Sequence, residues 1–268
     1  KHIQLFLERT KYSQIWIDSS LVGGSRILQS PQQFDVSGHL TPGEHYITIR
    51  IDNSLKHTPF GNVHIYSDDT QTNWNGIIGK FFLEASSKTY ISNIQVYPDI
   101  GKKKIRIKLE IENKLNLKNA TIDLIVDKTA QGKTERLQTQ SIVKSLEQVI
   151  ELEYDLGEAC SLWDEYEKPM YTLTVVLSEG EMKDSKKVNF GMRSFTARGT
   201  QFSINGRTTF LRGKHEAAVF PLTGYPPMNE EGWERVFKIA KSYGINHYRF
   251  HSYCPPEAAF TAADEQGI

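Results

Sequence analysis

Cysteine is nearly missing from this chain of 268 residues: Cys160 and Cys254 are too few and too far apart for a disulfide framework or a cysteine metal site. An excess of one charge is missing too. Lys and Arg number 32 against 32 Asp and Glu, so no bulk charge draws the chain to nucleic acid, a membrane surface or an acidic polymer, and the expected partner is neutral. No apolar run approaches the roughly 20 residues of a membrane-spanning helix, and no signal peptide is visible. Internal repeats and low-complexity tracts are absent as well. The 38% of hydrophobic residues is enough for proper cores, and the length alone suits about two domains.

The densest information lies in Phe202–Glu216, FSINGRTTFLRGKHE. Phe202-Ser-Ile204 and Thr208-Thr-Phe210 alternate around Asn205-Gly206, the pair that best tolerates the positive φ angles of a tight hairpin turn. The second arm is expected to run on into Leu211-Arg212-Gly213-Lys214-His215-Glu216, an apolar strand ending in ionisable groups around a glycine. Asn229 then caps a predicted helix with Glu230 and Glu231 in its first turn, Trp233, Val236, Phe237 and Ala240 on one face, and Gly244 at its stop. Ile245–Phe250 reads as a strand leading to His251-Ser252-Tyr253-Cys254, and Glu257–Glu265 as a second helix ending at Gly267. Strand, helix, strand, helix, with polar residues bunched after each strand, predicts the first units of a parallel (β/α)₈ (TIM) barrel, whose sites lie at the carboxyl ends of its strands.

Upstream the chain reads as all β. Strands at Ile3–Glu8, Gln14–Asp18 and Tyr46–Ile51 predict a β-sandwich over residues 1–86. Strands at Ile91–Tyr97, Ile105–Glu112, Thr121–Val126, Val149–Tyr154, Tyr171–Leu177 and Lys187–Phe190 suit an immunoglobulin-like β-sandwich over 87–195, with Ile105, Ile107, Leu109 and Ile111 on one face. The barrel start occupies 196–268. The fold class expected is therefore multidomain and mainly β, two sandwiches followed by βα units.

These residues resemble glycoside hydrolase family 2, the β-galactosidases, β-glucuronidases and β-mannosidases. The resemblance rests on Asn205-Gly206, Phe210-Leu211, Arg212-Gly213 and His215-Glu216 around the first barrel strand. It rests also on Gly244-Ile-Asn246, Arg249, His251 to Pro255 and Asp264-Glu265-Gln-Gly267 around the second. Trp74-Asn-Gly76-Ile77, Leu162-Trp163, Pro169-Met-Tyr171-Thr-Leu173 and Phe190-Gly191-Met-Arg193 add matches in the same order. The resemblance implies a jelly-roll-like sugar-binding domain over 1–86 and a retaining exo-β-glycosidase, β-galactosidase-like, acting on terminal β-linked sugars. Two Glu residues about 5–5.5 Å apart would perform the double displacement, and in this family both stand on later barrel strands, beyond Ile268. Glu216 matches a first-strand Glu that is not catalytic, so no catalytic residue is expected within the chain.

The substrate-binding residues that the resemblance implies are His215, Glu216, Arg249, His251 and Ser252, with Asp69 supplied by a loop leaning over the barrel mouth. Where β-galactosidases read Arg-x-Ser-His-Tyr-Pro, this chain reads Arg249-Phe-His251-Ser252-Tyr253-Cys254-Pro255, which leaves the role of His251 and the sugar open. By their residues alone, His64, Asp68 and Asp69 belong to a surface loop, Lys102-Lys103-Lys104 to a solvated turn, and Trp16 and Trp74 to sandwich cores rather than sugar platforms. The Asn119-Ala-Thr121 sequon reads as accidental.

Lys1 opens directly into a strand and Ile268 stops where a third parallel strand is due, so the expectation is a fragment without hydrolytic activity of its own. The competing reading is a non-catalytic carbohydrate-binding or interaction module. Expected partners are a carbohydrate substrate, with no nucleic acid, membrane, metal or cofactor, and a homo-oligomer is compatible with them. A periplasmic or secreted location is favoured for a bacterial polysaccharide-degrading enzyme.

Overall fold

The computed structural model describes residues 1–28, 30–57 and 74–268. By contacts these form two compact units, one of Lys1–Ala85 with Arg212–Ala263 and Ile268, the other of Ser86–Leu211 with Asp264–Gly267.

The first unit begins with β1 (His2–Arg9), β2 (Tyr12–Ile17), β3 (Ser20–Ser25), β4 (Gln32–Asp35), β5 (Ile47–Asp52) and β6 (Ile78–Ser86). They make two three-stranded sheets, β4-β1-β6 and β3-β2-β5. Alternation aims Leu5 and Leu7 of the first and Ile15 and Ile17 of the second into one core with Phe34 and Val36. Trp74 is 5% exposed, in a core as expected, whereas Trp16 is only half-buried. His64, Asp68 and Asp69 lie outside the described residues.

The second unit continues with β7 (Thr89–Asp99), β8 (Lys104–Asn113), β9 (Asn119–Ala130), β10 (Lys133–Arg136), β11 (Gln140–Ser145), β12 (Val149–Asp155), β13 (Met170–Glu179) and β14 (Met182–Phe190). Sheet β12-β8-β7 faces sheet β10-β9-β13-β14, with β11 also paired to β9. Their shared core holds Ile105, Ile107, Leu109 and Ile111, the face that the alternation marks, against Ile122, Leu124, Leu173 and Val175. Lys102 and Lys103 sit in the turn between β7 and β8, where the Lys102 amide donates to Asp99. A small sheet of β15 (Phe195–Arg198), β16 (Gln201–Ile204) and β17 (Arg207–Thr209) completes this unit.

The hairpin β16–β17 turns on Asn205 (φ 50) and Gly206 (φ 82), the two positive angles of a type I′ turn. The Asn205 side chain accepts from the Ser194 amide and donates to the Trp163 carbonyl, so the residue chosen for its backbone also fastens the strand before it. The second arm does not run on as expected. It ends at Thr209, Phe210 stands 78% exposed, and a separate strand β18 (Gly213–Glu216) begins four residues later in the first unit.

Helix α1 (Glu230–Ser242) follows β18, capped by Asn229, whose Oδ1 accepts from the Gly232 amide, and stopped at Gly244 (φ 77). Then come β19 (His247–Phe250) and α2 (Glu257–Gln266). β18 and β19 pair in parallel, which requires the crossover that α1 supplies. Trp233, Phe237 and Ala240 of α1 and Ala258, Ala259 and Ala262 of α2 pack around Tyr248, with Phe250 beside them.

Candidate functional site on the open face of a parallel strand pair

The strands meet with Gly213 opposite His247, Lys214 opposite Tyr248, His215 opposite Arg249 and Glu216 opposite Phe250. Side chains alternate between the two faces of such a pair, so this register sorts the polar residues. Tyr248 and Phe250 meet Phe237 and Trp233 edge-on, at ring distances of 4.9 and 5.9 Å, and their face is the one α1 covers. His215 and Arg249 share the opposite face, and both are exposed.

His251 extends that exposed row. Its amide donates to the Glu216 carbonyl at 2.7 Å, prolonging the strand pairing by one step, and its ring centre lies 4.9 Å from that of His215. Ser252 follows, its hydroxyl 3.2 Å from His251 Nδ1. Two imidazoles, a guanidinium and a hydroxyl thus gather at the carboxyl ends of two parallel strands, a set suited to hydrogen-bonding the hydroxyls of a sugar.

Glu216 goes the other way. It is 5% exposed, its Oε2 lies 2.5 Å from Lys214 Nζ, and its Oε1 accepts from the Ala218 amide at 3.0 Å. With both oxygens engaged on the covered side, it fastens the strand-end turn. Ala218 (φ 58) and Ser252 (φ 60) occupy the left-handed region, each two residues past the end of its strand. Non-glycine residues held there carry strain of order 1–3 kcal/mol, a feature that concentrates at functional sites. Asp69 lies outside the described residues, so its expected approach to the site has no geometry here.

The polar residues around the strands have structural uses that spacing alone did not reveal. The Arg212 amide donates to Asn246 Oδ1 at 2.8 Å, the Asn246 amide donates to the Arg212 carbonyl, and Arg212 Nε donates to the Gly244 carbonyl. That clasp joins the entry of β18 to the exit of α1. A Cβ on Gly213 would come within 3.2 Å of the His247 ring, so glycine keeps the two strands close.

Sequence reasoning also passed over Arg9, Tyr248 and Tyr253. Arg9 is 4% exposed and donates to the carbonyls of Leu28 and Pro255, tying β1 to the segment after β19, and burial pulls its guanidinium below the ordinary value. A charged pair Glu8-Arg9 at a strand end was the available signal. Burial, with the Glu216 carboxylate next in effect, pushes the Tyr248 phenol up to about 12 and raises that of Tyr253 as well. Tyr253 Oη and Trp74 Nε1 are buried in one cluster with Leu28 and Ala218, and neither finds a hydrogen-bond partner among the described residues. Among the described residues, no group of three or more His, Cys, Asp and Glu is placed to hold a metal ion. No helix among them is long and apolar enough to cross a membrane.

Known proteins share this construction. The solved structure of a glycosyl hydrolase family 2 member from Bacteroides cellulosilyticus matches all of this chain with a TM-score of 0.79 at 17% identity, over 34% of its own length. A β-glucuronidase from Parabacteroides merdae gives a TM-score of 0.76 at 16% identity. These likenesses establish a fold used by glycosidases. The family described as Glycosyl hydrolases family 2 matches residues 89–193. A β-galactosidase of Staphylococcus xylosus is 23% identical over 95% of this chain, and a β-glucuronidase of Paenibacillus borealis 22% identical over 96%. This match and these relatives support a fragment of glycosyl hydrolase family 2. The chain spans 23% of the first of these relatives and 44% of the second.

Proposed function

We propose that the chain is part of a retaining exo-β-glycosidase, β-galactosidase-like, and that it supplies substrate-holding groups rather than the acid/base and nucleophile. On this reading β18, α1, β19 and α2 are the first units of a (β/α)₈ barrel, residues 1–86 are a jelly-roll-like sugar-binding domain, and 87–195 are an immunoglobulin-like domain. The parallel pairing of β18 with β19 supports the barrel. The strand order β7-β8-β12 against β9-β13-β14 supports the immunoglobulin-like domain.

The observation that carries the functional reading is the row His215, Arg249 and His251 at parallel strand ends, the first two exposed and His251 half-buried. Charge-assisted hydrogen bonds from such groups to sugar hydroxyls strengthen as an oxocarbenium-like transition state develops. Glu216, with both oxygens engaged, is ill placed to protonate a leaving group or attack an anomeric carbon.

The test pairs binding with turnover. The 268-residue chain should bind a methyl β-glycoside weakly, lose that binding on His215→Ala or Arg249→Ala, and release no nitrophenol from a panel of nitrophenyl β-glycosides. Turnover above a heat-killed control would locate a catalytic carboxylate within the chain, with Glu216 the first to be substituted. Binding that survives both alanine variants would remove the exposed row from the site.

A further inference from the structure

Strand β6 is an edge of the β4-β1-β6 sheet, and among the described residues no strand pairs with its outer side. Its middle reads Lys80-Phe81-Phe82-Leu83-Glu84, and Phe81, Phe82 and Leu83 are 51%, 40% and 48% exposed. Three large apolar residues in a row on an open edge mark either an interaction surface or an aggregation hazard. The flanking charges decide between the two.

The groups of β6 have fixed directions. The Lys80 amide donates to Glu8 Oε2 at 2.6 Å, so it faces β1. Backbone groups alternate in direction along a strand, hence those of Phe82 and Glu84 also face β1, while the amides and carbonyls of Phe81 and Leu83 face the open edge. Phe82 stacks on Phe6 at 4.6 Å, with the rings 16° from parallel. That sets Phe82, and by alternation Lys80 and Glu84, on the face opposite Leu5 and Leu7, which enter the core. Phe81 and Leu83 lie on the Leu5 and Leu7 side, yet neither joins the core cluster.

About Phe82 this segment is symmetric in bulk and opposite in charge: Phe81 mirrors Leu83, and Lys80 mirrors Glu84. We propose that β6 pairs antiparallel with β6 of a second copy of this chain, about a two-fold axis at Phe82. In that register Phe81 of each copy exchanges backbone hydrogen bonds with Leu83 of the other, using the groups that face the edge. Phe82 meets its own counterpart and Lys80 meets Glu84 at the closer, non-hydrogen-bonded positions, where opposite charges attract across the strands. A register one residue away would oppose edge-facing groups to inward-facing ones and lose the ladder. A register two residues away keeps the ladder but separates Lys80 from Glu84. Parallel in-register stacking, the route to fibres, sets Lys80 on Lys80 and Glu84 on Glu84, so the charges that close the dimer oppose that alternative. The inference is independent of the sugar-site reading.

Sedimentation of the whole chain should show a monomer–dimer equilibrium with a Kd of about 10 µM, in the weak class expected of a small edge contact. Lys80→Glu and Glu84→Lys each put like charges opposite one another at both symmetry-related contacts, and each should weaken the dimer at least about tenfold. The double variant Lys80→Glu/Glu84→Lys should return to within about threefold of the parent chain. Mixing the two single variants should give a heterodimer tighter than either homodimer, because the mixed pair restores both contacts. Both positions are exposed, and an unchanged circular dichroism spectrum checks that each variant folds. A chain that stays monomeric well above that Kd overturns the proposal. So does a dimer that neither single variant loosens, which places the contact on another surface. Loosening by both without recovery in the double variant or in the mixture denies the register, and open-ended aggregation in place of a dimer denies the closure at two copies.

Discussion

His215 and Glu216 are neighbours in the chain, yet the period-2 geometry of a strand sends them to opposite faces, one exposed and one 5% exposed. That separation could not be read from the adjacent letters, because it depends on which face the helix covers. Tyr253 shows a related gap: its ring packs as an aromatic should, and its hydroxyl is buried without a partner among the described residues. A buried hydroxyl in that condition costs stability, so Tyr253→Phe should leave the unfolding free energy, read by thermal unfolding, unchanged or raise it by about 1 kcal/mol at most. A clear loss of stability would mean that the hydroxyl holds a bound water. Tyr248 makes a pH prediction. Its phenol titrates near 12 in the fold against 10.0 when free, so its stabilising contribution is complete below pH 10 and is lost as the pH rises towards about 12. The decline, on the order of 2–3 kcal/mol, should flatten in Tyr248→Phe, measured by denaturant unfolding from pH 9 to 12.

At the scale of elements, what could be read in advance was whatever the chain encodes locally. Helix α1 was legible because Asn229, the Trp233–Phe237–Ala240 stripe and Gly244 all speak within one segment. β8 was legible because four alternate residues enter one core. β3 and β6 were not. β3 contains Gly23 and Gly24, and a Cβ on Gly24 would come within 2.8 Å of the Ser13 carbonyl, so its glycine reflects a neighbouring strand rather than a turn. β6 is exposed along most of its length, which erases alternation. The hairpin at Asn205 was legible for its backbone angles and not for its side chain. Asn205→Ala should therefore cost more than a turn residue usually does, about 2 kcal/mol for two hydrogen bonds, whereas Asn205→Asp should retain the one accepted from Ser194. Asn246→Ala, which opens the clasp on Arg212, should lower stability by about 1–2 kcal/mol in thermal unfolding.

At the scale of the whole molecule, chain order and spatial grouping disagree. The first unit takes Lys1–Ala85 and, after a long excursion, Arg212–Ala263. Arg9 donates to Pro255, and Leu28 and Trp74 share a core with Ala218 and Tyr253, so residues 1–85 expressed alone lack part of what they bury. They should show no cooperative unfolding transition. Residues 86–211 contain their own two-sheet core and should unfold cooperatively, as read by circular dichroism and amide exchange. A cooperative transition in the first piece, or its absence in the second, would refute this division. The three regions drawn along the sequence could not anticipate it, since contacts between distant segments leave no mark in local pattern.

The alternation that separates His215 and Arg249 from Glu216 and Phe250 also bears on how such a protein changes over generations. Substitutions on the exposed row alter what a ligand meets while the packing beneath α1 stays as it was. Selection on what that face meets can therefore sample the row at small risk to folding. A single inserted residue within β18 would exchange the two rows and forfeit both at once, so drift in this strand should proceed by replacement and almost never by insertion.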